Sequence, residues 1–402
     1  MKNVSVELER INSSVSTEEL ERRWTAVRKA MKEKGIDVLV MQNNSDYEAG
    51  YVKWFSDIPA VNGVPFLIIF KVDEDMTVIS HGPYPPDEPR WPGPSYALRG
   101  VSRHLNGPFH PSFCFTNDYS GRMAAEELKL RGKCCIGWVG LSNITANLYI
   151  YLTANLPQIK FVDATNLIDE IKAVKSEEEI KLIKKAAFVA DEGMKAAIDA
   201  IKPGMKDCEV YAEVERRVLQ LGCEQQLAML SSGSFGTQVP PLLTRHFMNR
   251  TLRDGDQMNL MVEVNGPGGM WTELGRAICI GKVFKEMEAA WEGGKKAQKY
   301  VANLLKPGGD PKDIYEKFNA YMINKGYSKE GRLFSHSQGY AAVERPRMGD
   351  DETMKIKANM NIVIHPTTAT EKARAWCSDN YIVGEKGVGE RLHKTPQEIF
   401  VV

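Results

Sequence analysis

The sequence has no apolar run long enough to cross a bilayer. Its longest, such as "PFLIIF", falls far short of the roughly 20 residues a spanning helix needs. It has no excess of charge: Lys+Arg and Asp+Glu both total 52. That balance argues against a nucleic-acid or anionic-membrane surface as the main partner. It has no CxxC pair. Its seven cysteines, Cys114, Cys134, Cys135, Cys208, Cys223, Cys279 and Cys377, are odd in number and scattered, the pattern of reduced thiols in a cytoplasmic protein. The N-terminal "MKNVSVELERINSS" lacks the apolar core of a secretory signal, and no repeat or low-complexity segment interrupts the chain. What remains is an ordinary globular composition, 43% hydrophobic and 26% charged. At 402 residues, two domains are expected rather than one core.

The first 170 residues alternate helix and strand patterns, as α/β domains do. Ser16 opens a helix that Gly35 closes, and "DVLVMQ" follows as a buried strand. "PFLIIFK" and "MTVIS" flank an acidic turn as a hairpin, and the proline-rich "HGPYPPDEPRWPGP" is a loop. "KCCIGWVG" and "KFVDA" are strands around the helix "SNITANLYIYLTANLP". The pattern changes near residue 170. Two long amphipathic helices precede strands at about 226–232, 256–265 and 270–281. Two more precede strands near 359–365 and 376–384. Each first helix ends at a "KPG" element, so residues 171–402 read as a pseudo-duplicated α+β domain.

Four stretches of this second half carry chemistry. "EVNGPGGMWTE" sets Glu263 and Glu273 either side of a glycine-rich turn; a hairpin centred on Gly268 puts the two carboxylates face to face. Like charges so placed destabilise a sheet unless a metal ion, a shared proton or a bound cation offsets them. Strand alternation puts Asn259 and Gly275 on the same face. "FSHSQGYAAVERP" carries His336, Glu344 and Arg345. "NMNIVIHPTT" ends an apolar strand on His365. "ARAWCSDNYIVGEKG" buries Asp379 in a strand pattern. Each stretch also has a purely structural reading: exposed sheet glutamates, a satisfied histidine, a surface ion pair for Arg345.

The order of these stretches resembles the creatinase/prolidase/methionine aminopeptidase superfamily, the "pita-bread" fold, over nearly the whole chain. "GDQMNLMVEVNGPGGMWTELGRAICIGK" is similar to its metal-carboxylate hairpin and "HSQG" to its catalytic histidine turn. "IVIHP" stands where the family has a strand ending in Glu-Pro, and "WCSDNYIVGEKG" where it has a Glu-Asp pair. The resemblance implies an α/β N-terminal domain (1–170), a pita-bread catalytic domain (171–402) and a homodimer. The family's two-metal set of two Asp, one His and two Glu falls here on Glu263, Glu273, His336, His365 and Ser378. Only His336 keeps the family's residue, and a neutral imidazole at His365 cannot bridge two metals as a carboxylate does. Creatinase, the metal-free branch, has a Glu matching Glu273. Its general-base His aligns with Thr244, two residues before His246, and its substrate-binding Arg falls near Asn62.

The leading expectation is therefore a creatinase-like hydrolase that needs no metal or other cofactor. It would cleave a C–N bond in a small polar guanidino, ureido, amidine or amide compound. Glu263, Glu273, His336, His365, Asp379 and His246 are the catalytic candidates, with Asp379 orienting His365. Arg345, Glu344, Trp271 and Asn62 are the substrate-binding candidates. The first alternative is a dipeptidase-like hydrolase or lyase holding one divalent transition metal on Glu263, Glu273, His336 and His365. The second is a non-catalytic binding protein on the same fold.

Overall fold

A computed structural model describes residues 12–43, 45, 50–59, 64–82, 98–108 and 118–402. Packing divides the chain into two compact units, Met1–Lys172 and Ala173–Val402. In the first, the Ser16 hydroxyl accepts from the Glu19 amide and caps the Thr17–Lys34 helix, which Gly35 ends at a left-handed φ of 65°. The strands are β1 (Val38–Asn43), β2 (Phe66–Lys71), β3 (Met76–His81), β4 (Val101–Gly107), β5 (Cys135–Val139) and β6 (Lys160–Asp163). They form one sheet in the order β4-β3-β2-β1-β5-β6. β2 and β3 make the expected antiparallel hairpin, while β5 joins β1 in parallel. Val40, Ile69 and Trp138 of the sheet pack with Leu128 and Leu152 of two helices. The proline-rich loop lies outside the described residues beyond His81 and Gly82.

The second unit opens with a complete capping box, Ser176 with Glu179, on the Glu177–Ala200 helix. The helix Asp207–Gln220 follows. Then come β7 (Gln225–Ser234), β8 (Asp256–Asn265) and β9 (Trp271–Cys279), paired antiparallel. The helices Lys285–Leu304 and Pro311–Asn324 begin the second half. Its strands are β10 (Ser335–Ser337), β11 (Glu344–Arg347), β12 (Asn361–Ile364), β13 (Thr367–Ala369), β14 (Arg374–Trp376), β15 (Asp379–Gly384), β16 (Gly387–Arg391) and β17 (Phe400–Val401). Two sheets result, β17-β9-β8-β7 and β11-β10-β12-β15-β16, with β13-β14 a separate ribbon. The two "KPG" turns are structurally alike: Gly204 and Gly308 both take positive φ, and their amides donate to the Leu252 and Ile356 carbonyls.

β9 and the residue just before β15 are joined by reciprocal bonds between Gly275 and Ser378, at 3.1 and 3.3 Å. This close approach needs glycine: a Cβ at Gly275 would stand 2.4 Å from the Trp376 ring. The Trp271 amide donates to the Gly339 carbonyl at 2.7 Å. These bonds bring the carboxylate hairpin, the histidine turn and the strand end together.

Candidate active site

The β8–β9 register places Glu263 directly opposite Glu273, with Gly268 and Gly269 at positive φ in the turn. Both glutamates are buried. Gln338 donates from Nε2 to Glu263 Oε1 at 2.7 Å. Its own carbonyl accepts from Asn380 at 2.8 Å, and the Asn380 carbonyl accepts from the Glu273 amide at 2.7 Å. A backbone amide can only donate, so this chain fixes both side-chain amides and leaves Gln338 donating to Glu263. Burial, then the facing Glu273, pushes the Glu263 carboxyl well above the usual range. Burial raises Glu273 as well, opposed by the Ser378 hydroxyl, His336, the Trp376 indole and Arg332.

His336 lies on β10 and His365 at the end of β12, rings 5.3 Å apart and edge to face. His336 Nδ1 lies 2.9 Å from the Ser337 carbonyl. A carbonyl cannot donate, so Nδ1 carries the proton and Nε2 keeps its lone pair. Both ring nitrogens of His365 are buried without a hydrogen-bond partner among the described residues. The ring stacks on Trp376 at 5.5 Å and 11°. Burial lowers His336 to about 4, helped by His365, and lowers His365 to about 3, helped by Arg332. Two neutral imidazoles therefore face a carboxyl group at neutral pH.

Glu273, His336 and His365 each offer one ligand atom, all within 4.8 Å of one another. Two imidazoles and a carboxylate suit a transition-metal ion. Such an ion would satisfy one of the two orphaned nitrogens of His365, where burying an unpaired polar atom otherwise costs on the order of 1–3 kcal/mol.

The family model that matches residues 181–391 is metallopeptidase family M24. The chain belongs to that family. A curated relative, the uncharacterized hydrolase/peptidase y4tL of Sinorhizobium fredii, is 25% identical over 95% of this chain and 96% of its own. An Xaa-Pro dipeptidase of Pyrococcus horikoshii is 27% identical over 61% of this chain and 69% of its own. Among solved structures, the Xaa-Pro dipeptidase of Bacillus anthracis superposes with a TM-score of 0.75 at 18% identity, over 95% of this chain and all of that one. The chain thus has the pita-bread fold and is a hydrolase acting on C–N bonds. The expectation that no cofactor is needed is corrected: the matching family is one of metallopeptidases, and the buried cluster has donors for an ion.

Several candidates stand elsewhere. Asp379 does not orient His365. Its oxygens accept from Arg276 at 2.9 Å and Arg391 at 3.0 Å, and also from Gln298 and Gln397. Arg276 leads in holding it below the usual carboxylate range against the effect of burial. Arg345 pairs with Glu352 and meets Thr353 at 3.1 Å. Glu344 pairs with Lys175 at 2.7 Å, both side chains 2% exposed, and braces the histidine turn. Trp271 is fully buried. His246 is exposed on a short turn, edge-on to Phe247. Asn62 lies outside the described residues. The structure adds Gln338, Asn380, Trp376 and Arg332, whose guanidinium lies 4.5 Å over the Trp376 ring. "HSQG" contains a signal for Gln338, a polar residue inside the histidine turn. Arg332 has none.

Proposed function

We propose that this protein is a metal-dependent hydrolase of the dipeptidase type, with one divalent transition ion held by Glu273, His336 and His365. The observation that carries the reading is the buried three-donor cluster with both His365 nitrogens unpartnered. A single ion is favoured because a hydroxyl, Ser378, stands where a second ion would need an anionic ligand. The relatives named Xaa-Pro dipeptidase support a dipeptide as the substrate. Guanidino, ureido and amidine compounds form a second arm of the substrate screen.

A bound ion there would supply Lewis-acid polarisation of the scissile carbonyl. The chain's own groups do the rest. Glu263 sits across the hairpin from the ligand Glu273 and is the proton carrier. Gln338 occupies its Oε1, so the proton is held on Oε2. When ionised, Glu263 takes a proton from the attacking water onto Oε2; when protonated, it gives that proton to the departing nitrogen, as general acid–base catalysis requires. Trp376 holds the His365 ring by stacking and reaches Glu273 through its indole at 3.4 Å. The test is hydrolysis of Gly-Pro by protein reconstituted with zinc, manganese or iron(II). Activity with one of them, lost in His365→Ala, supports the reading; inactivity with all three on dipeptides and on the second arm rejects it.

We also infer a homodimer, from the superfamily resemblance, and a cytoplasmic location, supported by six described cysteines that are free thiols. No helix among the described residues is long and apolar enough to cross a membrane.

A further inference from the structure

We propose that Arg332 and Arg374 form an oxyanion subsite at the edge of the metal cluster, which takes a carboxylate carried by the substrate. The proposal rests on the hydrolase reading for the substrate's identity and on the geometry of the β13–β14 ribbon for the site.

On β14, Arg374 and Trp376 are two residues apart and share one face. Thr367 pairs with Trp376 across the ribbon. Arg332 is laid over that face: Nη2 donates to Thr367 Oγ1 at 2.7 Å, and the guanidinium lies over the Trp376 ring. The Arg332 guanidinium and the His365 ring both pack on the Trp376 ring, which ties a cation through one aromatic side chain to a metal-ligand histidine.

The two guanidiniums have more donors than partners. Arg332 spends Nε and Nη2 on Glu330 and Thr367, leaving Nη1 without a partner among the described residues. Arg374 spends Nη2 on Gln238 at 3.0 Å, and its Nε is buried with none. Burial and the neighbouring Arg332 both push Arg374 below the usual guanidinium range, against Glu330. Like charges held together call for a counter-ion, as they do at the facing glutamates. Glu330 supplies one negative charge to two positive ones. The Arg332 side chain is 41% exposed, so an anion from solvent can reach it. A planar carboxylate matches the fork of a guanidinium, which an ammonium would not match as well.

The test uses the full chain, metal-loaded, with N-acetylglycine and its neutral isostere N-acetylglycinamide as calorimetric probes. The acid should bind about 10- to 100-fold more tightly than the amide. Arg332→Gln and Arg374→Gln should each remove most of that preference without changing metal content, and Arg332→Lys should keep part of it. Equal binding of acid and amide by the wild type, or an undiminished preference in both Gln variants, overturns the subsite. In turnover, a preference for Gly-Pro over Gly-Pro amide assigns the carboxylate to a peptide C-terminus. A preference for Asp-Pro amide over Gly-Pro amide assigns it to a side chain. Acid-over-amide binding in a protein that hydrolyses neither dipeptides nor the second-arm compounds rejects the proposed function and leaves the subsite standing. Dipeptide hydrolysis without that preference does the reverse.

Discussion

Glu263 and Glu273 face each other across the β8–β9 hairpin but are held by different groups: Glu263 by the Gln338 amide at 2.7 Å, Glu273 by the Trp376 indole at 3.4 Å beside two histidines. The register makes the pair symmetric, and the surroundings divide its roles. One carboxylate belongs to the donor cluster, the other stands behind it with a fixed amide on one oxygen.

Replacing the two glutamates should therefore have different consequences. Glu273→Gln should lose bound metal and activity together. Glu263→Gln should keep the metal and lower kcat by about 100-fold or more, the contribution general acid–base catalysis commonly makes. Metal content and kcat measured on both variants check this. Equal metal loss in both contradicts the division.

The metal-free protein should lose the stability contributed by its carboxyl pair as pH rises from 4.5. Both carboxyls have folded pKa values raised above 4.5 by burial, so their contribution is complete below 4.5 and is lost as pH rises through the raised values. The imidazoles act in the opposite direction. Lowered to about 4 and about 3, they contribute fully above 6.5 and lose that contribution as pH falls. Comparison with Glu263→Gln isolates the carboxyl contribution from that of the imidazoles. In thermal unfolding of chelated protein, the midpoint advantage of wild type over Glu263→Gln should shrink as pH rises from 4.5, and added metal should reduce the pH dependence.

Asp379→Asn should be a stability variant. It leaves Arg276, fully buried, and Arg391 short of their shared anion. Removing one member of a buried ion pair costs about 3–5 kcal/mol. Denaturant unfolding should show that loss while the folded fraction keeps its metal. A loss of metal without a loss of stability would restore Asp379 to the site.

Arg345→Ala should leave KM within about twofold of wild type, because the Arg345 guanidinium is committed to Glu352 and Thr353. Steady-state kinetics on Gly-Pro measures this, with Arg332→Gln as the contrasting variant.

The sequence was legible where periodicity and turn chemistry act locally. The glycines of "NGPGG" allow one turn, and that turn alone sets Glu263 opposite Glu273. His336 and His365 were recognisable from their places at a turn and a strand end. Asp379 misled because a charge in an apolar strand looks the same whether it serves an imidazole or a guanidinium; the Arg276 that claims it lies far away in sequence on β9. The short strands β10, β13 and β14 have only three residues each, too few for alternation to show. Arg332 and Trp376 meet only because Gly275 lets the tryptophan close on β9, a contact no local pattern encodes.

The most direct test is elemental analysis of protein purified without chelator or affinity metal, alongside Glu273→Ala, His365→Ala and Glu263→Gln. About one equivalent of a transition metal in the wild type and in Glu263→Gln, and none in the other two, is the expected result. Two equivalents in the wild type, or one retained in His365→Ala, would contradict a single ion held by Glu273, His336 and His365.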